Sequence, residues 1–187
     1  MVHVLDSEQS EEQAVLVDGD NVVLGVMSKS QVHTDHTPLH RGFSLFLMNN
    51  QGEILLQQRS HLKKTWPLVW SNSCCGHPAY GERVEAAIRR RLQYELGLQA
   101  DSLQEILSDF QYRCIRDGIW ENEICPVWVG YAHGELQTHP SEVEAWRWVD
   151  WDQLLNDASE RPAAFSEWMV WELEELVSSG WAPQARR

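Results

Sequence analysis

Short runs of apolar and polar residues, broken by turn formers, dominate the chain and predict strands more often than helices. Ala14-Val15-Leu16-Val17 and Val22-Val23-Leu24-Gly25-Val26-Met27 flank Asp18-Gly19-Asp20-Asn21 as a first hairpin. Gly42–Met48 and Ile54–Arg59 flank Asn49-Asn50-Gln51-Gly52 as a second. Its first strand is apolar almost throughout, as expected when both faces are covered. Phe110–Arg116 and Ile119–Ala132 sit on either side of Asp117-Gly118, a strong two-residue hairpin signal, and Glu144–Asp150 reads as a further strand. The period changes to that of a helix from about Glu82 to Leu96, where Gly97 ends it. A short helix is predicted near Asp152–Asn156 and a longer one over Glu167–Ser178, with Ser166 as N-cap and Gly180 past its end. These elements make one α+β domain over residues 14–187, preceded by an acidic segment, 1–13, expected to be disordered.

Composition narrows the function classes. The chain has 187 residues, 43% of them hydrophobic, and a net charge of −13. Such an acidic chain is not expected to bind nucleic acid or an anionic membrane, so any anionic substrate needs a local basic island. No apolar run approaches the length that spans a bilayer. The four cysteines show no disulfide-framework spacing and the first residues lack a leader pattern, which predicts a reduced, cytoplasmic protein.

Candidate chemistry gathers in residues 60–81, a long aperiodic stretch of the kind that carries function, and on the helix that follows. Val84, Ile88 and Leu92 form its apolar stripe, and Glu95 falls about 20° from Ile88 around the axis. An inward carboxylate must be paired, here with Arg91 four residues earlier, or bound to a cation. His33, His40 and His77, with Glu121 and Glu123, could supply a mixed nitrogen and oxygen site for Mn²⁺, Zn²⁺ or Mg²⁺; equally, these are residue types of surface loops and edge strands. Cys75 shares a face with His77 in extended chain, and could be a metal ligand, a structural thiol or an acid/base. A two-residue turn at Asp117-Gly118 would set Tyr112 opposite Glu123 and Cys114 opposite Glu121.

Gly76-x5-Glu82-x7-Arg90-Arg91-Leu92-Gln93-Tyr94-Glu95-Leu96-Gly97 resembles the Nudix box, but Arg91 and Tyr94 stand at two of its acidic positions. Together with Asn72-Ser73-x-Cys75-Gly76-His77-Pro78, Glu121-Asn122-Glu123-x-Cys125-Pro126 and Ala164-Phe165-Ser166-x-Trp168-Met169, it is similar to the type 1 isopentenyl-diphosphate delta-isomerases of the Nudix superfamily. The resemblance implies a Nudix-like mixed sheet flanked by helices, with an added N-terminal hairpin and C-terminal helices. It implies interconversion of isopentenyl and dimethylallyl diphosphate by a 1,3-proton shift through a tertiary carbocation. Cys75 and Glu123 would be the proton carriers, with Tyr112 assisting Glu123. His33, His40, His77, Glu121 and Glu123 would hold one divalent ion, and Glu95 a Mg²⁺ that bridges to the diphosphate. Lys29, Arg59 and Lys63 would be the basic island, and Trp168 would face the cation. The implied partner is a small allylic or homoallylic diphosphate, with neither nucleic acid nor membrane, and the chain a monomer or weak homodimer. A Nudix hydrolase and a non-catalytic metal module are the rival readings.

Overall fold

The computed structural model describes residues 12–186. The expected disorder of residues 1–13 therefore lies almost wholly outside the described residues. Glu12 and Gln13, its last two, are ordered: Gln13 opens the first strand and Glu12 pairs with Lys29 and Arg91.

Twelve strands form two mixed sheets. One has the order β2 (Val23–Ser28), β1 (Gln13–Val17), β3 (His40–Arg41), β10 (Ile119–Ile124), β9 (Gln111–Arg116). The other runs β12 (Val143–Val149), β5 (Ile54–Arg59), β4 (Phe43–Met48), β11 (Val127–His133), β8 (Gln99–Leu107), with β6 (Trp70–Ser71) on β5 and β7 (Cys74–Gly76) on β4. The stretch read as one strand over 119–132 is two. Pro126 cannot donate to a ladder, and at Cys125-Pro126 the chain leaves the first sheet for the second. Gly42 marks the same crossing between β3 and β4, and the two crossings run parallel, bonded from Gly42 N to the Ile124 carbonyl and from Ser44 N to the Pro126 carbonyl.

Among the described residues four α-helices complete the domain: α1 (Lys29–Val32), α2 (Val84–Leu96), α3 (Trp151–Glu160) and α4 (Glu167–Ser178). β4 is buried at all six positions because its alternating side chains enter two cores. Phe43, Leu45 and Leu47 meet Ile88 and Leu92 of α2, while Phe46 and Met48 share the other core with Trp168, Met169 and Leu173 of α4. The predicted stripe of α2 thus faces inward, and Gly97, with φ 66°, ends the helix in the left-handed region. No helix of the described residues is long and apolar enough to cross a membrane. The site lies where the chain crosses between the sheets.

Candidate active site

His33 follows α1, His40 lies in β3, His77 follows β7, and Glu121 and Glu123 are in β10. The bend after α1 and the parallel β3–β10 pair bring them together. Glu123 stands beside His40 in register, and its Oε1 lies 3.0 Å from His77 Nε2 and 3.3 Å from His40 Nε2. One ligand atom from each of His33, His40, His77 and Glu123 lies within 4.8 Å of the others. Glu121, expected as a fifth ligand, sits at the edge with Oε2 2.8 Å from His33 Nε2.

The donor chemistry fits a divalent ion. The Pro38 carbonyl accepts a hydrogen bond from His40 Nδ1 at 2.8 Å, which leaves a lone pair on Nε2 facing the cluster. His33 Nε2 and Glu121 Oε2 are buried and make no directed hydrogen bond, an arrangement that is costly without a cation. Burial opposes the charge on Glu123, but the His40 and His77 imidazoles beside it hold its carboxyl well below the usual range. Burial pulls His77 down to about 4, so its imidazole is neutral, the form in which a histidine can bind a cation. Space is equally specific: a Cβ added at Gly42 would lie 2.1 Å from Glu123 Oε2.

Cys75 and Tyr112 join His33, His77 and Glu123 in lining a cavity of about 870 Å³. The hairpin register is the predicted one, with Tyr112 opposite Glu123 and Cys114 opposite Glu121. The Cys75 thiol donates to Asn72 Oδ1 at 3.1 Å, and burial pushes its pKa up to about 12, helped by the nearby Glu172 carboxyl. Burial and the Glu123 charge raise Tyr112 well above an ordinary phenol. The cavity thus sets a protonated thiol and a protonated phenol beside one carboxylate. Trp168 stacks on Tyr112 at 5.7 Å, meets Trp66 edge to face at 5.3 Å, and lies 5.6 Å from the Arg59 guanidinium. Cys74, on the opposite face, is wholly buried in the α2 core.

The basic island is real but partnered. Lys29 pairs with Glu12, and Lys63 pairs with Glu142. Arg59 donates to the Thr65 carbonyl and hydroxyl and to the Trp66 carbonyl, so it braces the cavity wall as well as lining it. Arg91, which stands at a lost acidic position and was the expected partner of Glu95, is the cavity's best-buried cation and contacts Glu12 and Glu142 as well as Glu95. Glu95 lies outside the cavity lining. Arg91 Nη2 holds its Oε1 at 2.5 Å and Gln57 Nε2 holds its Oε2 at 3.1 Å, so the i−4 pairing is the one realised. Glu12 and Glu142 carried no local signal, because their partners are distant in sequence.

Glu172, one turn beyond Trp168 on α4, was also missed. It is wholly buried, with the Ser44 hydroxyl beside its carboxyl. Burial lifts its pKa well above the carboxylate range; the Ser44 hydroxyl opposes the rise and the Glu123 charge adds to it. The native state therefore keeps a proton that the unfolded chain, with a pKa of about 4.3, releases. Above that pH the unfolded state binds fewer protons, so stability falls as pH rises until the native carboxyl itself ionises. Glu172→Gln removes this dependence. Its Tm should exceed that of the parent at pH 8, by about 2–4 °C for each kcal/mol recovered, and the gain should shrink toward pH 5. Melting curves with the same difference at both pH values would show that Glu172 is not protonated in the fold.

The sequence matches the NUDIX domain model over residues 38–169. An isopentenyl-diphosphate Delta-isomerase of Paenarthrobacter aurescens (strain TC1) is 47% identical over 174 residues, which cover 92% of this chain and 94% of that protein. The chain belongs to the isopentenyl-diphosphate Delta-isomerase family. A second isomerase, from Klebsiella pneumoniae subsp. pneumoniae, is 42% identical over 164 residues, covering 87% of this chain and 89% of its own. Among solved structures, a Deinococcus radiodurans protein aligns with a TM-score of 0.62 at 20% identity, covering 80% of this chain and 90% of that one. The MutT NUDIX hydrolase of Burkholderia pseudomallei aligns at 0.58 and 22% identity, covering 74% and 98%. These two establish the NUDIX fold. In this isomerase-family chain the surviving box carboxylates serve arginines: Glu82 binds Arg90 at 2.8 Å, and Glu95 binds Arg91.

Proposed function

We propose that the cavity interconverts isopentenyl and dimethylallyl diphosphate by a metal-dependent 1,3-allylic proton shift through a tertiary carbocation. The observation that carries this reading is that Cys75 and Glu123, brought from different sheets, line one cavity. An unactivated alkene needs a proton delivered to one carbon and another removed two carbons away, in a pocket too dry for water to capture the cation. One of Cys75 and Glu123 delivers and the other removes, and the roles exchange in the reverse direction. Tyr112, paired with Glu123 across the hairpin, holds a proton beside it. The Trp168 face lies against the developing positive charge, where such a contact is worth about 2 kcal/mol when desolvated.

His33, His40, His77 and Glu123, with Glu121 beside them, would hold one divalent ion, Mn²⁺, Zn²⁺ or Mg²⁺, which supplies Lewis acidity and fixes Glu123. Lys29, Lys63 and Arg91 take the diphosphate by exchanging the carboxylates of Glu12 and Glu142 for phosphate oxygens. A Mg²⁺ at Glu95 belongs to this reading only as an ion that arrives with the substrate, since Arg91 and Gln57 hold both Glu95 oxygens. The four free cysteines suit a reduced cytoplasm. The remaining parts of the reading are a monomer or weak homodimer that binds neither nucleic acid nor membrane.

The test is NMR of isopentenyl diphosphate incubated with the protein and Mg²⁺ in D₂O. Dimethylallyl diphosphate carrying deuterium is the expected product. Release of inorganic phosphate or diphosphate without an allylic product would favour a NUDIX hydrolase instead.

A further inference from the structure

Asn72, between β6 and β7, is wholly buried and does not line the cavity. Its amide nevertheless bonds both Cys75 and Trp168. Asn72 Nδ2 donates to the carbonyls of Leu45 and Cys74, each at 3.3 Å. Its Oδ1 accepts from the Ser71 hydroxyl at 2.9 Å, the Cys75 thiol at 3.1 Å and the Trp168 indole N–H at 3.3 Å. Turning the amide over would aim a carbonyl at two carbonyls and an N–H₂ at an indole that can only donate. The orientation is therefore set by groups that leave no alternative. Ser71 Oγ is in turn fixed at 2.9 Å from Ser166 Oγ, at the start of α4, so the network ties the strand that carries Cys75 to the helix that carries Trp168.

We infer that Asn72 is a positioning residue for the isomerisation: its single carbonyl oxygen sets the Cys75 sulfur and the Trp168 ring relative to each other. Proton transfer is sensitive to placement at the scale of an ångström, because reacting atoms must be held near contact distance. In the isomerisation one group meets the carbon that gains or loses the proton, while the ring must lie over the carbon that becomes positive. A shared anchor keeps that spacing constant through the cycle. Since Asn72 lies behind the wall and touches no substrate, its loss should be felt in kcat and not in binding.

This inference rests on the assignment of Cys75 as a proton carrier, and the experiment separates the two. Asn72→Ala should lower kcat by about 10- to 100-fold with KM changed less than threefold, and should shift the Trp168 indole N–H resonance, assigned by its disappearance in Trp168→Phe. Trp168→Phe keeps a ring but removes the N–H, so its own kcat loss and that of Asn72→Ala should combine to less than their product in the double variant. Asn72→Ser is a milder variant for the case in which alanine fails to fold, with the same split and the same resonance shift expected. A kcat within threefold of the parent in a folded Asn72 variant, a loss confined to KM, or fully multiplicative losses would each overturn the positioning role. If Cys75→Ser is itself fully active, the proton-carrier assignment fails first, and the inference with it.

Discussion

Replacing Cys75 with serine should leave a folded protein that still takes up its divalent ion but turns over isopentenyl diphosphate at least about 100-fold more slowly. A serine hydroxyl is close in size and can still donate to Asn72, so the hydrogen bond that holds the position is kept. What changes is acidity, since a hydroxyl releases its proton far less readily than a thiol. Cys75 is not among the four groups that converge as metal ligands, so metal content should be unaltered. Glu123→Gln is the informative contrast. It removes a proton carrier and the carboxylate bonded to both His40 and His77, so activity and metal content should fall together. Elemental analysis beside the NMR turnover assay reads both effects. Metal-loaded Cys75→Ser with near-normal turnover would end the two-carrier mechanism.

Gly42→Ala should cost as much as Glu123→Gln although it changes none of the candidate ligand residues themselves. The added Cβ would stand 2.1 Å from Glu123 Oε2 and 2.7 Å from its Cδ, closer than any real contact. The carboxylate has to leave the cluster or the β3–β4 crossing has to move, and overpacking of this kind typically costs 1–3 kcal/mol. The expected result is loss of bound metal and of activity in step, with a Tm lowered by a few degrees. Gly25 is the control, since nothing lies within 4 Å of its added Cβ, and Gly25→Ala should keep both metal and turnover. Full metal content in Gly42→Ala would show that Glu123 is not fixed by its contact with Gly42.

Local signals were read well. Asp117-Gly118 carried the register that puts Tyr112 against Glu123, and the α2 stripe carried the inward position of Glu95. Apolar runs marked β4 and β5, because burial on both faces leaves no polar alternation to confuse. β8 went unread for the opposite reason: most of its nine residues face solvent, and two irregularities interrupt its pairing with β11. The division of 119–132 at Cys125-Pro126 was visible in the proline but outweighed by the continuous β-forming run around it. In the site, the histidines, Cys75 and the two glutamates were legible because spacing and family resemblance carry them. Asn72 and Glu172 were not, nor was Arg91 beyond its pairing with Glu95, since these roles come from contacts with Trp168, Ser44 and Glu12 across the fold. Lys29 and Lys63 were legible as cations but not as partners of Glu12 and Glu142.

The parallel crossing at Gly42 and Cys125-Pro126 also bears on how the molecule comes to be assembled. His40 and His77 are 37 positions apart, and His77 and Glu123 a further 46, so no piece of nascent chain shorter than that span can hold the cluster. Parallel pairing of distant segments requires the loop to close before any contact rewards it, which makes such topologies slow to form. Until β3 meets β10, His40 and Glu123 lie on segments not yet paired, and the cluster has no preformed seat for a divalent ion. An ion held there would act as a latch on the crossing, slowing its reopening.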